Sequence, residues 1–211
     1  MTLQAHQLAC ARGARLLFSD LSFELLPGEA MRVGGSNGSG KTSLLRMLCG
    51  LACPSAGEVR WQGANVRLNR AEFNAALLYL GHLNGVKDDL AAWENVMVAA
   101  TLAGHPVGPE AAYAALDALG LGELADLPTR VLSQGQRKRV ALARLQLCTE
   151  NTLWILDEPF TALDHEAVDA LCATLGVHLA RGGMLVYTTH QDVSFGRQRL
   201  LCMDSARELP C

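Results

Sequence analysis

A glycine-rich segment ahead of a lysine is the feature of this sequence with the clearest chemistry. Residues 35–42 match the pattern G-x-x-x-x-G-K-[ST]. Glycines allow consecutive backbone N–H groups to turn around phosphate oxygens, and a following helix adds the partial positive charge of its N-terminus. Lys41 would reach the β and γ phosphates of ATP, and the Thr42 hydroxyl would bind Mg²⁺. The predicted nucleotide-binding residues are Gly35, Ser36, Asn37, Gly38, Ser39, Gly40, Lys41, Thr42 and Ser43.

Taken alone, this motif does not single out one reaction. A glycine- and serine-rich turn could carry a lysine by chance, but an apolar strand ends at Val33 and a helix is predicted from Lys41. These two elements supply the context that the motif requires. Kinases of small metabolites contain the same loop, so other motifs are needed to identify which reaction the chain catalyses.

Two carboxylates directly follow an unbroken apolar stretch. Residues 153–156 predict a buried strand, and Asp157 and Glu158 come after it. Because ligands bind at the C-terminal ends of parallel strands, these carboxylates are expected beside the phosphates. Asp157 would then hold Mg²⁺, and Glu158 is the candidate general base for the attacking water. An acidic pair before Pro159 is also compatible with a solvated turn, but its combination with the phosphate-binding loop favours catalysis.

A third motif, Leu-Ser-Gln-Gly-Gln at residues 132–136, precedes a basic helix. Here the sequence resembles the ABC ATPase family, whose signature is LSGGQ, with Gln134 in place of a glycine. The resemblance implies that Ser133 and Gly135 contact phosphate and that Gln136 belongs to the same site. On the residues alone, Ser133 could equally be a helix N-cap.

Two further segments extend the resemblance over essentially the whole chain. Residues 161–164 resemble the family's D-loop, and His190 resembles the switch histidine that senses the γ-phosphate, although a lone histidine at a strand end is more often structural. His82 stands where the Q-loop usually has glutamine, and Arg12 is a candidate to stack on adenine in place of the family's aromatic residue. The resemblance thus implies Glu158, His190 and Lys41 as catalytic residues, and His82, Ser133, Gly135, Gln136 and Asp164 as nucleotide-binding residues.

The elements that must position these residues alternate between short apolar strands and helices. This alternation indicates an α/β fold with a buried, mostly parallel sheet, and residues 21–33 predict an antiparallel pair turning at Pro27 and Gly28. The predicted class is therefore a P-loop NTPase (RecA-like) core with an antiparallel β edge and an inserted α-helical subdomain, as in ABC ATPases. One domain would span 1–211, with 1–84 and 146–211 forming the core and 85–145 the helical subdomain. Strands are predicted at 21–26, 30–33, 59–61, 77–80, 153–156 and 184–188, and helices at 41–49, 91–103, 110–119, 134–147 and 166–179.

The charge and hydropathy of the chain argue against nucleic acid as a partner and against a membrane-spanning segment or a signal peptide. The formal net charge of −3 gives no broad attraction to nucleic acid, and the basic run at 137–139 is predicted to be a solvated helix face. No stretch of about 18 apolar residues is present, so we expect no direct membrane span. The first eleven residues have no basic start followed by an apolar block, which predicts no signal peptide.

The seven cysteines are scattered among apolar residues. An odd, scattered set argues against a disulfide framework, and the spacing of Cys49 and Cys53 is not the C-x-x-C of metal or haem motifs. We therefore expect reduced thiols.

Within the ABC family, the sequence is similar to the ATP-binding subunits of the bacterial cytochrome c maturation system. Segments 59–63, 79–84, 154–160 and 188–191 carry this likeness. It implies a peripheral haem exporter ATPase on the cytoplasmic face of the inner membrane, with membrane subunits of the CcmB, CcmC and CcmD type. It also implies a head-to-tail homodimer that forms with ATP. An ABC motor for a drug, lipid or polysaccharide would share every catalytic residue, whereas DNA-repair and ribosomal ABC ATPases have coiled-coil insertions or two such domains in one chain.

Overall fold

Two sheets form the framework of the computed structural model, which describes residues 1–13 and 15–204. Cys211 lies outside the described residues. The first sheet is antiparallel, with the order β2-β1-β4-β5, and the second is parallel, with the order β6-β7-β8-β3-β9. Their strands are β1 (Leu3–Arg12), β2 (Arg15–Leu25), β3 (Ala30–Gly34), β4 (Ala56–Trp61), β5 (Ala64–Asn65), β6 (Leu77–Leu80), β7 (Leu153–Leu156), β8 (Met184–Thr188) and β9 (Gln198–Cys202).

The predicted antiparallel pair at residues 21–33 is wrong. β2 pairs with β1, whereas β3 lies between β8 and β9 in the parallel sheet. The backbone at Gly28 donates to the carbonyl of Gly183, so the turn there leads from one sheet to the other. The physical reason is burial: Ala30, Met31 and Val33 are all buried, which suits a central strand covered on both faces.

Six α-helices accompany the strands in the described part of the chain. The helix predicted at 134–147 and the strands predicted at 77–80, 153–156 and 184–188 are confirmed with the same bounds, and the other predicted helices are confirmed within two residues at either end. A short helix at 70–76 and the strands β1, β5 and β9 were not predicted. The helices are α1 (Lys41–Leu48), α2 (Arg70–Ala76), α3 (Ala92–Leu102), α4 (Pro109–Asp117), α5 (Gln134–Leu147) and α6 (His165–Ala180).

Side chains of β7 and β8 alternate between two cores on opposite faces of the parallel sheet. Ile155 and Val186 belong to the core that also contains Leu44 of α1 and faces the antiparallel sheet. Trp154 and Leu185 belong to the core covered by α5 and α6. The strands are thereby fixed on both faces, which sets the positions of the residues at their C-terminal ends.

The helices α3, α4 and α5 pack on one another around a third core. Val96, Leu116 and Val140 are buried there, one from each helix. The helix α5 also contributes Leu142 and Leu145 to the core beneath the parallel sheet, so it joins the helical part to the sheet. Among the described residues, no helix is long and apolar enough to span a membrane.

Candidate nucleotide site

The phosphate-binding loop lies between β3 and α1. Gly40 occupies the N-cap position of α1 with φ 103°, a left-handed conformation that favours glycine. A Cβ at this position would also come within 3.2 Å of the Phe18 ring. Lys41 donates from Nζ to the backbone carbonyls of Gly35 at 2.7 Å and Ser36 at 3.1 Å. Its ammonium group is thus held over the loop in which the phosphates are expected.

Asp157 is at the C-terminal end of β7 and is only 2% exposed. Its Oδ2 accepts a hydrogen bond from the Thr42 hydroxyl at 2.9 Å, and its Oδ1 accepts one from the Thr188 hydroxyl at 2.7 Å. The Thr188 oxygen in turn accepts from the backbone N–H of Glu158 at 2.8 Å. Thr188 therefore orients both acidic residues, a role that the sequence prediction missed. The available signal was a hydroxyl at the end of an otherwise apolar strand.

Glu158 has an unusual backbone conformation. Its φ is 50°, in the left-handed region that costs a non-glycine residue of order 1 kcal/mol or more. Its Oε1 lies 3.5 Å from Nε2 of His190, and its Oε2 accepts a hydrogen bond from the Thr161 hydroxyl at 3.5 Å. Such local strain is typical of functional sites, because the surrounding contacts hold the side chain in a required place.

A cleft of about 560 Å³ connects the loop with the acidic residues. It brings together Lys41, Thr42, Asp157, Glu158 and His190, which are far apart in the sequence. His82 and Arg12 also line it. Arg15 and Leu17, which were not predicted, lie on β2, whose sequence contains no nucleotide motif. Thr161 belongs to the predicted D-loop segment but was not predicted as a site residue. The lining residues are Arg12, Arg15, Leu17, Asn37, Gly38, Gly40, Lys41, Thr42, Ser43, His82, Asp157, Glu158, Thr161 and His190.

The signature residues are not among those that line this cleft. Ser133 is the N-cap of α5: its Oγ accepts from the Gln136 N–H at 3.2 Å, and its own N–H donates to Oε1 of Gln136 at 2.8 Å. Gly135 packs so closely on the D-loop that a Cβ would lie 2.5 Å from the carbonyl oxygen of Ala162. Asp164 caps α6 by accepting from the Ala167 N–H at 2.9 Å.

The basic run that begins α5 is not the solvated face predicted from its sequence. Lys138 is only 7% exposed, and burial lowers its pKa while the nearby carboxylates of Asp157 and Glu158 act to raise it. Arg137 pairs with Asp88 at 2.9 Å. These side chains attach the start of α5 to its surroundings.

The segment after β9 contacts the phosphate-binding loop directly. The Asp204 carboxylate accepts hydrogen bonds from the Ser36 hydroxyl at 2.9 Å and from the Ser36 N–H at 3.0 Å. The backbone N–H of Met203 donates to Gly34 at 2.9 Å, and the Cβ of Met203 lies 3.1 Å from the point where a Cβ on Gly35 would be. The sequence offered no indication of this contact, because it joins residues far apart in the chain.

Comparison with known proteins assigns the family. The ABC transporter family model matches residues 18–161. The chain is 53% identical over 191 residues to the cytochrome c biogenesis ATP-binding export protein CcmA of Nitrosomonas europaea, covering 90% of this chain and 89% of that protein. It is 49% identical over 192 residues to the protein of the same name from Pseudomonas aeruginosa, covering 91% and 94%. The chain belongs to the CcmA family of ABC transporters. It is therefore an ATP-binding subunit of the ABC type, as its motifs predicted.

Solved structures support the same fold. An ABC transporter ATP-binding protein from Pyrococcus furiosus superposes with a TM-score of 0.83 at 20% identity, covering 98% of this chain and 99% of that one. A dimeric ATP-binding cassette bound to ADP and phosphate superposes with a TM-score of 0.77 at 22% identity, covering 90% and 88%. At these identities, the likeness of the CcmA-family chain to both structures concerns its fold alone.

Proposed function

We propose that this chain is the ATP-hydrolysing motor of a cytochrome c biogenesis exporter, which drives haem transfer and the release of a haem-loaded chaperone. The observation that carries the proposal is the cleft where Lys41, Thr42, Asp157 and Glu158 meet. The cytochrome c role is supported by the near full-length similarity to proteins of that name. An ABC exporter for a drug, lipid or polysaccharide would use the same cleft, so the cargo needs its own test.

Each residue in the cleft has a role in the proposed reaction. When ATP binds, Lys41 gives up its hydrogen bonds to the loop carbonyls and donates instead to the β and γ phosphate oxygens. Thr42 and Asp157, whose side-chain oxygens are 2.9 Å apart, offer the hard oxygen ligands that Mg²⁺ prefers. When bound, this ion neutralises charge on the β and γ phosphates. Glu158 orients the attacking water and takes its proton, and His190, beside it, contacts the γ-phosphate.

The remaining predicted residues act on a second copy of the chain. Ser133, Gly135 and Gln136 are at the N-terminus of α5, and the chain's own cleft does not include them among its described lining residues. A helix N-terminus with accessible N–H groups favours an anion. We infer that two copies pack head to tail, so that the signature and Asp164 of each complete the cleft of the other.

The membrane partner would bind a groove of about 590 Å³ between β6 and α3. Val98 and Leu102 line the groove and are 41% and 84% exposed. Together with residues 85–145, taken as a helical subdomain, this groove fits a short cytoplasmic helix from a CcmB-type subunit, with CcmC- and CcmD-type subunits completing the complex. The chain would then act as a peripheral subunit on the cytoplasmic face of the inner membrane.

Replacing the loop lysine tests the nucleotide site. In Lys41→Ala, loss of the ammonium group should remove most of the affinity for Mg·ATP and all turnover, because its phosphate contacts disappear. Isothermal calorimetry measures the affinity, and Arg67→Ala serves as a control that removes an exposed cation elsewhere. Unchanged ATP affinity in the Lys41 variant would disprove the site.

Complementation tests the cargo. In a bacterium that lacks its own copy of the gene, the wild-type chain should restore c-type cytochromes, measured by haem staining, and Lys41→Ala should not. Normal ATP hydrolysis by the purified chain without restoration of cytochromes would favour another exported cargo.

A further inference from the structure

His190 lies on the short segment that follows β8, and its side chain is 64% exposed. Its Nε2 is 3.5 Å from Oε1 of Glu158, which is longer than the usual hydrogen-bond distance of about 2.7–3.2 Å. Within the described part of the chain, the imidazole makes no other hydrogen bond or ion pair. One long contact does not fix an exposed ring, so the position of His190 depends on the backbone that carries it.

Gln191, the next residue, fixes that backbone with two hydrogen bonds. Its N–H donates to the hydroxyl of Thr189 at 3.1 Å, and this turn encloses His190. Thr189 is 5% exposed, so one side of the turn is anchored in the protein. Nε2 of Gln191 donates to the carbonyl oxygen of Phe160 at 3.2 Å, which anchors the other side.

Phe160 is a firm attachment point for this side chain. Its ring is fully buried and packs against Tyr187 of β8 and against Phe195, with centroid distances of 6.4 and 6.3 Å. Its carbonyl oxygen also accepts a hydrogen bond from the N–H of Leu163 at 3.3 Å. Because residues in a close-packed core shift little, Phe160 holds its carbonyl in place, and Gln191 is fixed by bonding to it.

Phe160 also lies in the middle of the turn that carries the proposed base. Glu158 and Ala162, at the two ends of this turn, have φ values of 50° and 63°, a left-handed conformation that is uncommon for residues other than glycine. Such strained residues persist only where the surrounding structure fixes them, which is typical of functional sites. The bond from Gln191 thus joins the histidine segment to a turn whose shape is already fixed.

We propose that Gln191 is a positioning residue for ATP hydrolysis, which holds His190 beside Glu158 through its hydrogen bond to Phe160. This inference rests on the proposed function, in which His190 contacts the γ-phosphate. Thr188 joins the same two segments from within the core, where its hydroxyl accepts from the N–H of Glu158. Gln191 joins them on the other side of His190 along the chain, so the segment that carries the histidine is held at both ends.

Gln191→Leu tests this bond, because leucine is of similar size and lacks the N–H donor. The residues expected to bind the phosphates, such as Lys41, are unchanged, so we expect the KM for ATP to stay within about twofold of wild type and kcat to fall about tenfold. Steady-state ATPase assays measure both constants. Gln191→Lys, which retains an N–H donor on a side chain of similar reach, should keep kcat within about threefold of wild type. A wild-type kcat in Gln191→Leu would overturn the proposal.

Gln146→Leu is the matched control. Gln146 is exposed, and its Nε2 donates to the Thr174 hydroxyl at 3.1 Å, between α5 and α6 and outside the lining of the nucleotide cleft. This variant loses a side-chain hydrogen bond of the same kind and should have the kcat of the wild type. An equal fall of kcat in both variants would overturn the specific role of Gln191, because the loss of such a bond would then lower turnover wherever it occurs.

A double-mutant cycle with His190→Ala decides whether Gln191 acts through the histidine. In the His190→Ala background, Gln191→Leu should cause no further fall in kcat, because the side chain that it positions is absent. Single-turnover assays with the enzyme in excess over ATP follow the slow variants. The same fold-change with and without His190, or wild-type turnover in His190→Ala, would overturn the proposal.

Variants of the nucleotide site separate this outcome from failure of the proposed function. Lys41→Ala and Glu158→Gln should lose turnover whatever the Gln191 variants do. Loss of turnover in these two, together with an additive effect of Gln191→Leu, would refute the positioning role alone. Retained turnover in both would refute the nucleotide site itself.

Discussion

Both carboxylate oxygens of Asp157 accept hydrogen bonds from threonine hydroxyls, but the two threonines serve different purposes. Thr42 belongs to the phosphate-binding helix and is itself a proposed Mg²⁺ ligand, so its bond to Asp157 gives way when the ion binds. Thr188 is fully buried at the end of β8 and also accepts from the N–H of Glu158. It acts as a positioning residue for the aspartate and the proposed base together.

Thr188→Val tests this arrangement with a nearly unchanged side-chain shape. The substitution leaves Oδ1 of Asp157 and the N–H of Glu158 without their partner, and each unsatisfied buried group costs about 1–3 kcal/mol. We expect a lower free energy of unfolding in urea and a turnover number for ATP at least roughly tenfold lower. Thr188→Ser, which retains the hydroxyl, should recover most of both quantities. Wild-type turnover in the valine variant would show that Thr188 has no positioning role.

Functional residues could be predicted from the sequence where they form a run of consecutive residues. The loop at 35–42 and the Asp157-Glu158 pair could be identified because each forms a short motif next to a predictable strand. Thr188 and Asp204 could not, because Thr188 acts on residues 30 and 31 positions away and Asp204 on a residue 168 positions away. The pattern of Ser133 allowed both an N-cap and a phosphate contact, and the structure shows the N-cap.

At the scale of elements, β9 ties the end of the described chain to the phosphate-binding loop. It runs parallel to β3 with Gly34 opposite Cys202, and this register brings Asp204 beside Ser36.

The pairing of residues 21–33 was predicted wrongly because local sequence does not determine which strand is the partner. A turn at Pro27 and Gly28 is compatible both with a hairpin and with a change of sheet, and only tertiary burial of β3 decides between them. The strand β1 was missed because register shifts between Ala5 and Cys10 interrupt its alternation.

Asp204→Ala should weaken ATP binding more than it slows catalysis. The carboxylate fixes the first turn of the loop through both the hydroxyl and the N–H of Ser36, whereas it is not placed at the reacting atoms. We expect the KM for ATP to rise about tenfold, since hydrogen bonds to a charged group contribute about 1.5–3 kcal/mol, with kcat within about twofold of wild type. Steady-state ATPase assays measure both constants.

Two further variants distinguish loop positioning from a general loss of structure. Ser36→Ala removes one of the contacts and should give a smaller rise in KM than Asp204→Ala. Glu123→Ala, an exposed carboxylate outside the site, should leave KM unchanged. A parallel fall in kcat and unfolding temperature with unchanged KM would contradict the proposed role of Asp204.

At the scale of the whole molecule, the proposed site is divided between two surfaces of one chain. The cleft contains the phosphate-binding loop and the acidic residues, while Gly135 and Ser133 are at the start of α5, outside the cleft.

The variant Glu158→Gln should bind ATP, hydrolyse it at least roughly a hundredfold more slowly and accumulate as a dimer, because loss of the base blocks the step that separates the copies. Size-exclusion chromatography with and without ATP measures the dimer. A variant that stays monomeric with ATP and retains turnover would refute both the base and the dimer.

A charge introduced into the groove between β6 and α3 should abolish membrane attachment without affecting catalysis, provided that the substituted residue does not belong to a hydrophobic core. Val86, between the groove-lining residues Gly85 and Lys87, is an unsuitable position for the charge, because it is partly buried against the cores under the sheet and among the helices. Leu102 lines the groove but is 84% exposed, so Leu102→Glu adds a charge at little cost to folding. It should abolish flotation with membranes that contain the partner subunits and prevent cytochrome c maturation, while basal ATPase activity remains. Leu68→Glu, at a leucine 88% exposed and outside the groove lining, is the matched control and should behave like the wild type. If Leu102→Glu still floats with these membranes and supports maturation, the groove is not the docking site. If its basal ATPase activity falls together with flotation, the charge has disturbed the fold, and the expectation that the exposed Leu102 tolerates a charge is wrong.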